Sequence, residues 1–270
     1  MKKIILLSLA VFSLTLWSCE KQNSDENTPD EKTTEIKSWE NALLVNGQVH
    51  FKYVYTPTFD ASGRITGVKT EHYEGTALVE EIAETYTWNA SAKTGSLKGT
   101  DTWYEDGGST NTYSQDFKLD DDLNILSMTS SGYTSNYQYQ NGYMVLYVEQ
   151  RETLEWKDGD LASITSNYNR KTFKYSSDKN PFADSVDPVF RDILPSFYEL
   201  GFGGKRSAHL VSEYTDETDN DGFKYTSVCR YSYKKDSQGR ITEINTYYVD
   251  PETGKPFEND AEHVVRINYK

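Results

Sequence analysis

The stretch CRYSYKKDSQGRITEINTYY, residues 229–248, decides the fold of this chain. Aromatic residues alternate with polar ones up to Tyr233, and a second alternating run ends at Tyr248. Alternation with a period of two is typical of a strand that has one covered face. Between the runs, Asp236 can accept hydrogen bonds from amides two residues on, and Gly239 supplies a positive φ. The stretch therefore predicts a β-hairpin.

The same unit occurs near the start of the domain. Residues 60–70, DASGRITGVKT, match residues 236–246, DSQGRITEINT, and the Asp, Gly, Arg, Ile and Thr positions of the turn and strand are shared. Weaker copies lie at 117–128, 137–145 and 154–164. Strands that recur at short spacing with polar turns between them are typical of a long antiparallel meander.

One detail of the repeat conflicts with a regular strand. Ile65 and Val68 are three positions apart, as are Ile241 and Ile244, so simple alternation would place the members of each pair on opposite faces. A β-bulge directly after the turn would bring both members to the same face. We therefore predict a bulge after Gly239, between the turn and Thr246.

Composition also favours β structure, because 21 Tyr and 5 Trp must build the core against only 3 Met. Asn46-Gly47 between apolar runs predicts a tight hairpin turn. The parity of the last long strand places Cys229 on its aromatic face, as a buried and inert thiol. One segment differs: Asp187 and Pro188 resemble the first residues of a helix, and apolar residues follow at spacings of three and four.

The expected fold is therefore all-β, a many-stranded antiparallel meander that curls into a barrel or half-barrel, with one short helix near 187–199. Residues 39–270 form this single domain. A barrel that spans the outer membrane is the architectural alternative. Strand exteriors rich in Lys, Glu, Thr and Ser argue against it, because they would meet lipid poorly.

The N-terminus reads as an export signal over residues 1–18, with two lysines followed by an apolar run that is too short for a spanning helix. Leu16-Trp17-Ser18-Cys19 resembles a bacterial lipobox, which predicts lipidation of Cys19 and a membrane anchor. An ordinary secretory signal with an incidental cysteine is the alternative. Residues 19–38 are acidic and nearly free of apolar side chains, so we expect a flexible tether.

The charge balance limits the partners. The formal net charge is −14, and loss of the two signal lysines takes it to −16, which makes nucleic acid an unsuitable partner. If Cys19 is lipidated, Cys229 stands alone and no disulfide forms within the chain.

We find no catalytic motif, and we expect no metal site and no cofactor. The histidines are scattered: His50, His72, His209 and His263. Asp219-Asn-Asp-Gly222 resembles the middle of a calcium loop but lacks the closing glutamate, so an acidic turn is the better interpretation. Trp88, Trp103 and Trp156 could be core residues or a platform on which sugars stack. The sequence does not identify ligand-binding residues.

The Tyr-x-Tyr runs followed by Gly-Arg-Ile-Thr resemble the tyrosine–aspartate (YD/Rhs-like) repeats of large bacterial surface proteins. Over residues 40–270, the chain resembles a Bacteroides-type lipoprotein family of unknown function with a porin-like fold. The features that carry this resemblance are the Tyr-x-Tyr strands, the Asn180-Pro181 segment, Leu200–Lys205 and the closing repeat. The resemblance implies a curled antiparallel sheet, and an outer-membrane lipoprotein of a Gram-negative bacterium on its periplasmic or exposed side. It implies no reaction.

Three functions follow as hypotheses. The first is a non-enzymatic, membrane-tethered binding or interaction module for a glycan or a protein. The second is a glycan hydrolase that uses two carboxylates brought together by the fold. The third is a purely structural component of the cell surface.

Overall fold

The computed structural model describes residues 36–270, apart from 105–106, 184–185, 190–192, 196, 198–199, 221–222 and 258–261. Sixteen antiparallel strands in this part pair in sequence order and close into a barrel. They are β1 (Ile36–Val45), β2 (Gln48–Phe59), β3 (Ile65–Glu74), β4 (Ala77–Asn89), β5 (Thr94–Trp103), β6 (Ser109–Leu119), β7 (Ile125–Ser130), β8 (Tyr133–Gln140), β9 (Tyr143–Tyr147), β10 (Glu152–Lys157), β11 (Asp160–Thr165), β12 (Asn169–Lys179), β13 (His209–Asn220), β14 (Phe223–Lys235), β15 (Ile241–Val249) and β16 (Glu262–Tyr269). None of the described residues forms a helix long and apolar enough to cross a membrane.

The barrel closes where β1 pairs with β16, with Trp39 opposite Ile267. The expected all-β antiparallel meander is thereby confirmed, in its closed form. The first strand begins at Ile36, three residues before the expected start of the domain. Residues 1–35, with Cys19 and most of the expected tether, lie outside the described part of the chain.

The helix expected near 187–199 lies partly on residues outside the described set. Where the segment is described, residues 188–189 form a turn and residue 197 is in helical conformation, while residues 190–192, 196 and 198–199 lie outside the described set. The cap residue does act locally, since Asp187 Oδ1 accepts a hydrogen bond from the Val189 amide at 3.1 Å. The helix therefore stays a prediction.

The two full copies of the turn have the same hydrogen bonds. Asp60 Oδ1 accepts from the amides of Ser62 at 2.8 Å and Arg64 at 3.0 Å. Asp236 Oδ1 accepts from the corresponding amides at 2.9 and 3.0 Å. Gly239 has a φ of 79°, as its role in the tight turn requires. The same sequence therefore builds the same turn at both ends of the chain.

The bulge predicted after Gly239 is confirmed, because Lys234 pairs with Glu243 while Lys235 pairs with Ile241. Six odd-numbered strands shift register in this way near their first residues. Their extra residues are Thr66, Leu126, Val145, Ala162, Ser212 and Thr242. Each bulge lets two residues three positions apart face the interior, as Ile241 and Ile244 do, both at 1% exposure.

At the bulges, backbone carbonyls near the interior accept hydrogen bonds from aromatic side chains. In each of the six strands, the residue that begins the bulge accepts a hydrogen bond from a Tyr or Trp of the next strand. The pairs are Trp88 to Ile65 (3.1 Å), Tyr139 to Ile125 (3.0 Å), Trp156 to Met144 (2.7 Å), Tyr175 to Leu161 (2.9 Å), Tyr233 to Val211 (2.6 Å) and Tyr269 to Ile241 (2.7 Å). A buried carbonyl needs such a donor, and Tyr and Trp combine a large apolar ring with one.

The barrel also confirms which residues of these strands the sequence predicts to face the core. Tyr53 and Tyr55 pack on the core from β2, and Cys229 is fully buried on the inner face of β14. Burial raises the pKa of the Cys229 thiol to about 12, so it stays protonated and unreactive. Asn46 and Gly47 both have positive φ, as the hairpin prediction requires.

We expect Tyr233→Phe to lower the free energy of unfolding by about 1–3 kcal/mol, because it leaves the Val211 carbonyl without its aromatic donor. Urea denaturation followed by circular dichroism would measure this. Tyr133→Phe is the matched control, since Tyr133 is 83% exposed, and it should change stability by less than about 0.5 kcal/mol. Equal effects of the two substitutions would contradict the role of the aromatic donors.

Candidate functional site

A connection between β12 and β13, residues 180–208, enters the barrel, and we call it the plug. Phe202 packs against Trp88 of β4, with ring centroids 4.3 Å apart, and Phe197 packs against Tyr137 of β8 at 4.6 Å. Val189 and its neighbours face the far wall, formed by β13 to β16. Because the plug contacts opposite walls, it fills the interior at the end where it enters. We call this the plugged end and the other the open end.

Four buried polar residues tie the two ends of the plug together: Asn180, Asp187, Arg206 and Ser207. Asn180 Nδ2 donates to Asp187 Oδ2 and to the Ser207 carbonyl, each at 3.1 Å. Arg206 Nη1 donates to the Phe182 carbonyl at 3.1 Å. The plug is thus held by a specific polar network as well as by its apolar contacts.

Burial raises the pKa of Asp187, and the charge of Arg206 acts in the opposite direction. The carboxyl oxygens of Asp187 accept from the Asn180 side chain and the Val189 amide. Removing them would leave two donors unpaired in a dry interior, which is more costly than losing an exposed hydrogen bond.

We therefore expect Asp187→Ala to lower the free energy of unfolding by about 2–5 kcal/mol and to expose the plug to protease. Asp187→Asn keeps one acceptor oxygen and should lose clearly less. Urea denaturation and limited proteolysis with mass mapping would measure both effects. If the two variants are equally damaged, the acceptor role of Asp187 is wrong.

Above the plug, the open half of the barrel holds a pocket of about 410 Å³. Its floor is lined by four plug residues, Ile193, Leu194, Pro195 and Phe197. Its wall carries Tyr137 and Tyr147, whose ring centroids are 4.9 Å apart, together with Glu152. Burial raises the pKa of Glu152, and the charge of Lys171 opposes this. The pocket combines aromatic faces with hydrogen-bonding groups.

A smaller cavity of about 90 Å³ lies on the other side of Ile193. Three tyrosines of the far wall line it with His263: Tyr214, Tyr231 and Tyr248. The plug therefore forms the floor of both the larger pocket and this smaller cavity, and both lie inside the barrel.

A third part of the inner wall forms a row across β4, β5 and β6, where Glu84, Gly99 and Tyr113 are paired in register. The Tyr113 ring covers Gly99 so closely that a Cβ there would lie 2.1 Å from the ring. The Tyr113 hydroxyl reaches across to donate to Glu84 Oε1 at 2.7 Å, and Tyr86 donates to Oε2 at 2.7 Å. Only glycine permits this arrangement.

Next to this row, Glu80 and Asp101 form an acidic pair. Burial and then the adjacent Asp101 raise the pKa of Glu80, while His72 opposes the shift. His72 Nδ1 lies 3.5 Å from Glu80 Oε2, and Trp103 Nε1 donates to Asp101 Oδ2 at 3.1 Å. The fold thus brings two carboxylates together inside the barrel, as the hydrolase hypothesis requires.

No family model matches the sequence, and no curated protein does. Among solved structures, a porin-like protein from Bacteroides uniformis is similar with a TM-score of 0.60. The two chains share a barrel fold. They are 15% identical, and the match covers 88% of this chain and 99% of that one, so the likeness concerns the fold alone. A porin-like protein from Bacteroides vulgatus is 11% identical, and the match covers 88% of this chain and 99% of that one. Its TM-score of 0.27 is too low to indicate a shared fold.

The porin-like fold expected from the sequence is therefore confirmed, whereas membership of a lipoprotein family and kinship with YD repeats stay predictions. The three tryptophans named in the sequence analysis have different environments in the structure. Trp88 and Trp156 are half-buried and bind carbonyls, while Trp103 is 39% exposed at the open end. In the described part, no three His, Cys, Asp or Glu side chains are grouped so as to hold a metal.

Most residues of the inner wall could not be recognised as functional candidates from the sequence. Of the loop that resembles a calcium site, residues 221–222 lie outside the described part, and Asp219 pairs with Lys224 at 3.1 Å. Glu80, Glu84 and Asp101 look like ordinary strand residues until the register is known. The one available signal was a glycine in the middle of a strand, Gly99, which often marks the close approach of another group.

Proposed function

We propose that this protein is a non-enzymatic binding module of the cell envelope whose ligand enters the open end of the barrel. The observation that carries the proposal is the division of the interior. The plug closes one end, and above it lies the pocket of about 410 Å³ with tyrosines and a carboxyl group on its wall. Pockets of this size, with aromatic faces and a few polar groups, are typical of ligand sites.

Passage through the barrel is a less suitable function. Barrels with sixteen strands can hold an aqueous channel. Here Phe197 and Phe202 of the plug are 4% and 2% exposed and lie against the walls of β8 and β4, where a channel would run. A ligand that enters from the open end therefore meets a floor.

Charged side chains on the outer face of the barrel favour contact with water. Around the closure, five charged side chains alternate in sign across β2, β1, β16, β15 and β14. Glu40 binds Lys52 at 3.1 Å and Arg266 at 2.7 Å, and Glu243 binds Arg266 at 3.5 Å and also Lys234. Lysine or arginine on a lipid-facing strand costs about 2–4 kcal/mol at mid-bilayer. These pairs support a barrel held beside a membrane.

Attachment would come through Cys19, as an acylated first residue of the mature chain. The described chain begins at Ile36, which pairs with Tyr269 beside the β14–β15 turn at the plugged end. We place the protein in the outer membrane of a Gram-negative bacterium, on its periplasmic or exposed side.

The anchor has a direct test. Mass spectrometry of protein extracted from membranes should show a diacyl or triacyl modification on Cys19 and loss of residues 1–18. Cys19→Ala is the matched control and should release the protein into the soluble fraction. Cys229 should stay unmodified in both, because it is fully buried. An unmodified Cys19 in protein that still carries the signal residues would refute the anchor.

The binding site is tested with panels of soluble oligosaccharides and of extended peptides, by calorimetry. Tyr147→Ala should weaken the binding of any ligand found by about three- to tenfold, because it removes an aromatic wall of the pocket. Tyr247→Ala, on the outer face of β15, is the control and should leave the affinity unchanged. Binding that survives Tyr147→Ala together with Glu152→Gln would place the ligand elsewhere.

The acidic pair gives hydrolysis a specific observation as the second candidate function. Glu80 has a raised pKa beside Asp101, which suits a group that must hold a proton. The same oligosaccharides, incubated with the protein, would then yield new reducing ends, and Glu80→Gln would abolish them. Binding without new reducing ends would favour the binding module.

A further inference from the structure

Exposed apolar side chains are concentrated at the open end. Of the nine large hydrophobic residues that are exposed in the described part, eight lie in or beside the turns of this end: Val45, Trp103, Tyr104, Tyr133, Val148, Tyr168, Tyr225 and Phe257. Exposed aromatic residues gathered at one place on a polar protein mark an interaction surface.

Two of these residues, Tyr168 and Tyr225, line one pocket of about 370 Å³ between the β11–β12 turn and the end of the β13–β14 hairpin. They are 58% and 56% exposed. Register holds them in place, since Asn169 pairs with Thr218 and Thr218 with Tyr225. Two strand spacings, about 10 Å, separate the backbones of Asn169 and Tyr225. Tyr168 directly precedes Asn169, so both aromatic residues lie on the same part of the rim.

The remaining lining of this pocket is polar. It consists of hydroxyl, amide and charged side chains: Thr165, Ser166, Thr218, Thr226, Asn167, Asn169, Arg170, Glu217, Asp219 and Lys224. No aliphatic side chain lines it. A lipid chain or the apolar core of a protein interface would need aliphatic contacts. A sugar ring needs aromatic surface for its C–H face and donors and acceptors for its hydroxyls, and this lining offers both.

Hydrogen bonds within the protein already hold polar groups of this pocket in place. Asn169 Nδ2 donates to Asp216 and, at 3.2 Å, to Thr218 Oγ1, while Lys171 Nζ donates to Asn169 Oδ1 at 3.4 Å. The Asp219 amide donates to the Tyr168 carbonyl at 2.9 Å and fixes the turn that carries the ring. Groups fixed before binding lose less entropy when the ligand arrives.

We propose that the pocket between Tyr168 and Tyr225 binds one or two sugar residues of a carbohydrate chain whose remainder extends into the mouth of the barrel. Tyr225 lies on the inner face of β14, in the same parity as Cys229, and Thr226 of the opposite face also lines the pocket, so the pocket lies on the rim of the barrel. The inference rests on the proposed function and names its ligand class.

The test uses maltohexaose, cellohexaose, xylohexaose and mannohexaose, each with its disaccharide, and calorimetry on the full mature chain. At least one hexasaccharide should bind. The Tyr168→Ala, Tyr225→Ala double variant should weaken that binding by about tenfold or more, since each stacking contact contributes about three- to tenfold. Tyr247→Ala, on the outer face of β15 and outside the pocket, should leave the affinity unchanged, and circular dichroism would show that all variants fold.

The outcomes separate this inference from the proposed function. If the rim variant loses binding and Tyr147→Ala does not, the rim pocket is correct and the interior site is wrong. If only Tyr147→Ala loses binding, the rim inference is overturned. Failure of all four hexasaccharides to bind also overturns it, as does binding of the rim to vesicles of phosphatidylethanolamine and phosphatidylglycerol that the double variant abolishes.

Discussion

The hydrogen bond between an aromatic side chain and a bulge carbonyl is the interaction on which this barrel depends. The bulge is needed because it brings two apolar residues three positions apart to the same inner face. It also frees a carbonyl in a dry place, which would be costly without a donor. A Tyr or Trp from the next strand satisfies the carbonyl and fills the adjacent space with its ring. Four tyrosines and two tryptophans have this double role.

All six of these units lie at the plugged end, and this makes the barrel asymmetric. Their rings, with the plug, fill the interior at that end with apolar surface. The open half carries none of these units, so its inner wall can hold carboxylates, tyrosine hydroxyls and open space. Because the apolar packing that stabilises the barrel lies at the plugged end, the open end can carry polar groups. Functional groups are commonly placed at the edge of a rigid scaffold in this way.

Features determined by neighbouring residues could be predicted from the sequence. The Asp236 turn, the bulge after Gly239 and the burial of Cys229 follow from turn chemistry and parity. Features that depend on distant pairing could not. Closure through Trp39 and Ile267 joins the two ends of the domain, and the row of Glu84, Gly99 and Tyr113 exists only once three strands are in register. The contacts of the plug with opposite walls likewise join residues that are far apart in the sequence.

The interior carboxylates differ in how many of their oxygens accept hydrogen bonds. Both oxygens of Glu84 accept hydrogen bonds from tyrosines, and Asp101 Oδ2 accepts one from Trp103. A catalytic carboxylate must offer a free oxygen to the substrate, so Glu84 does not suit that role. Asp101 Oδ1 is buried without a hydrogen-bond partner among the described residues, and the neighbouring Glu80 has a raised pKa. The group best suited to proton transfer therefore lies within the wall of the barrel, whereas the tyrosines and amides of the rim face the solvent from which a ligand would come.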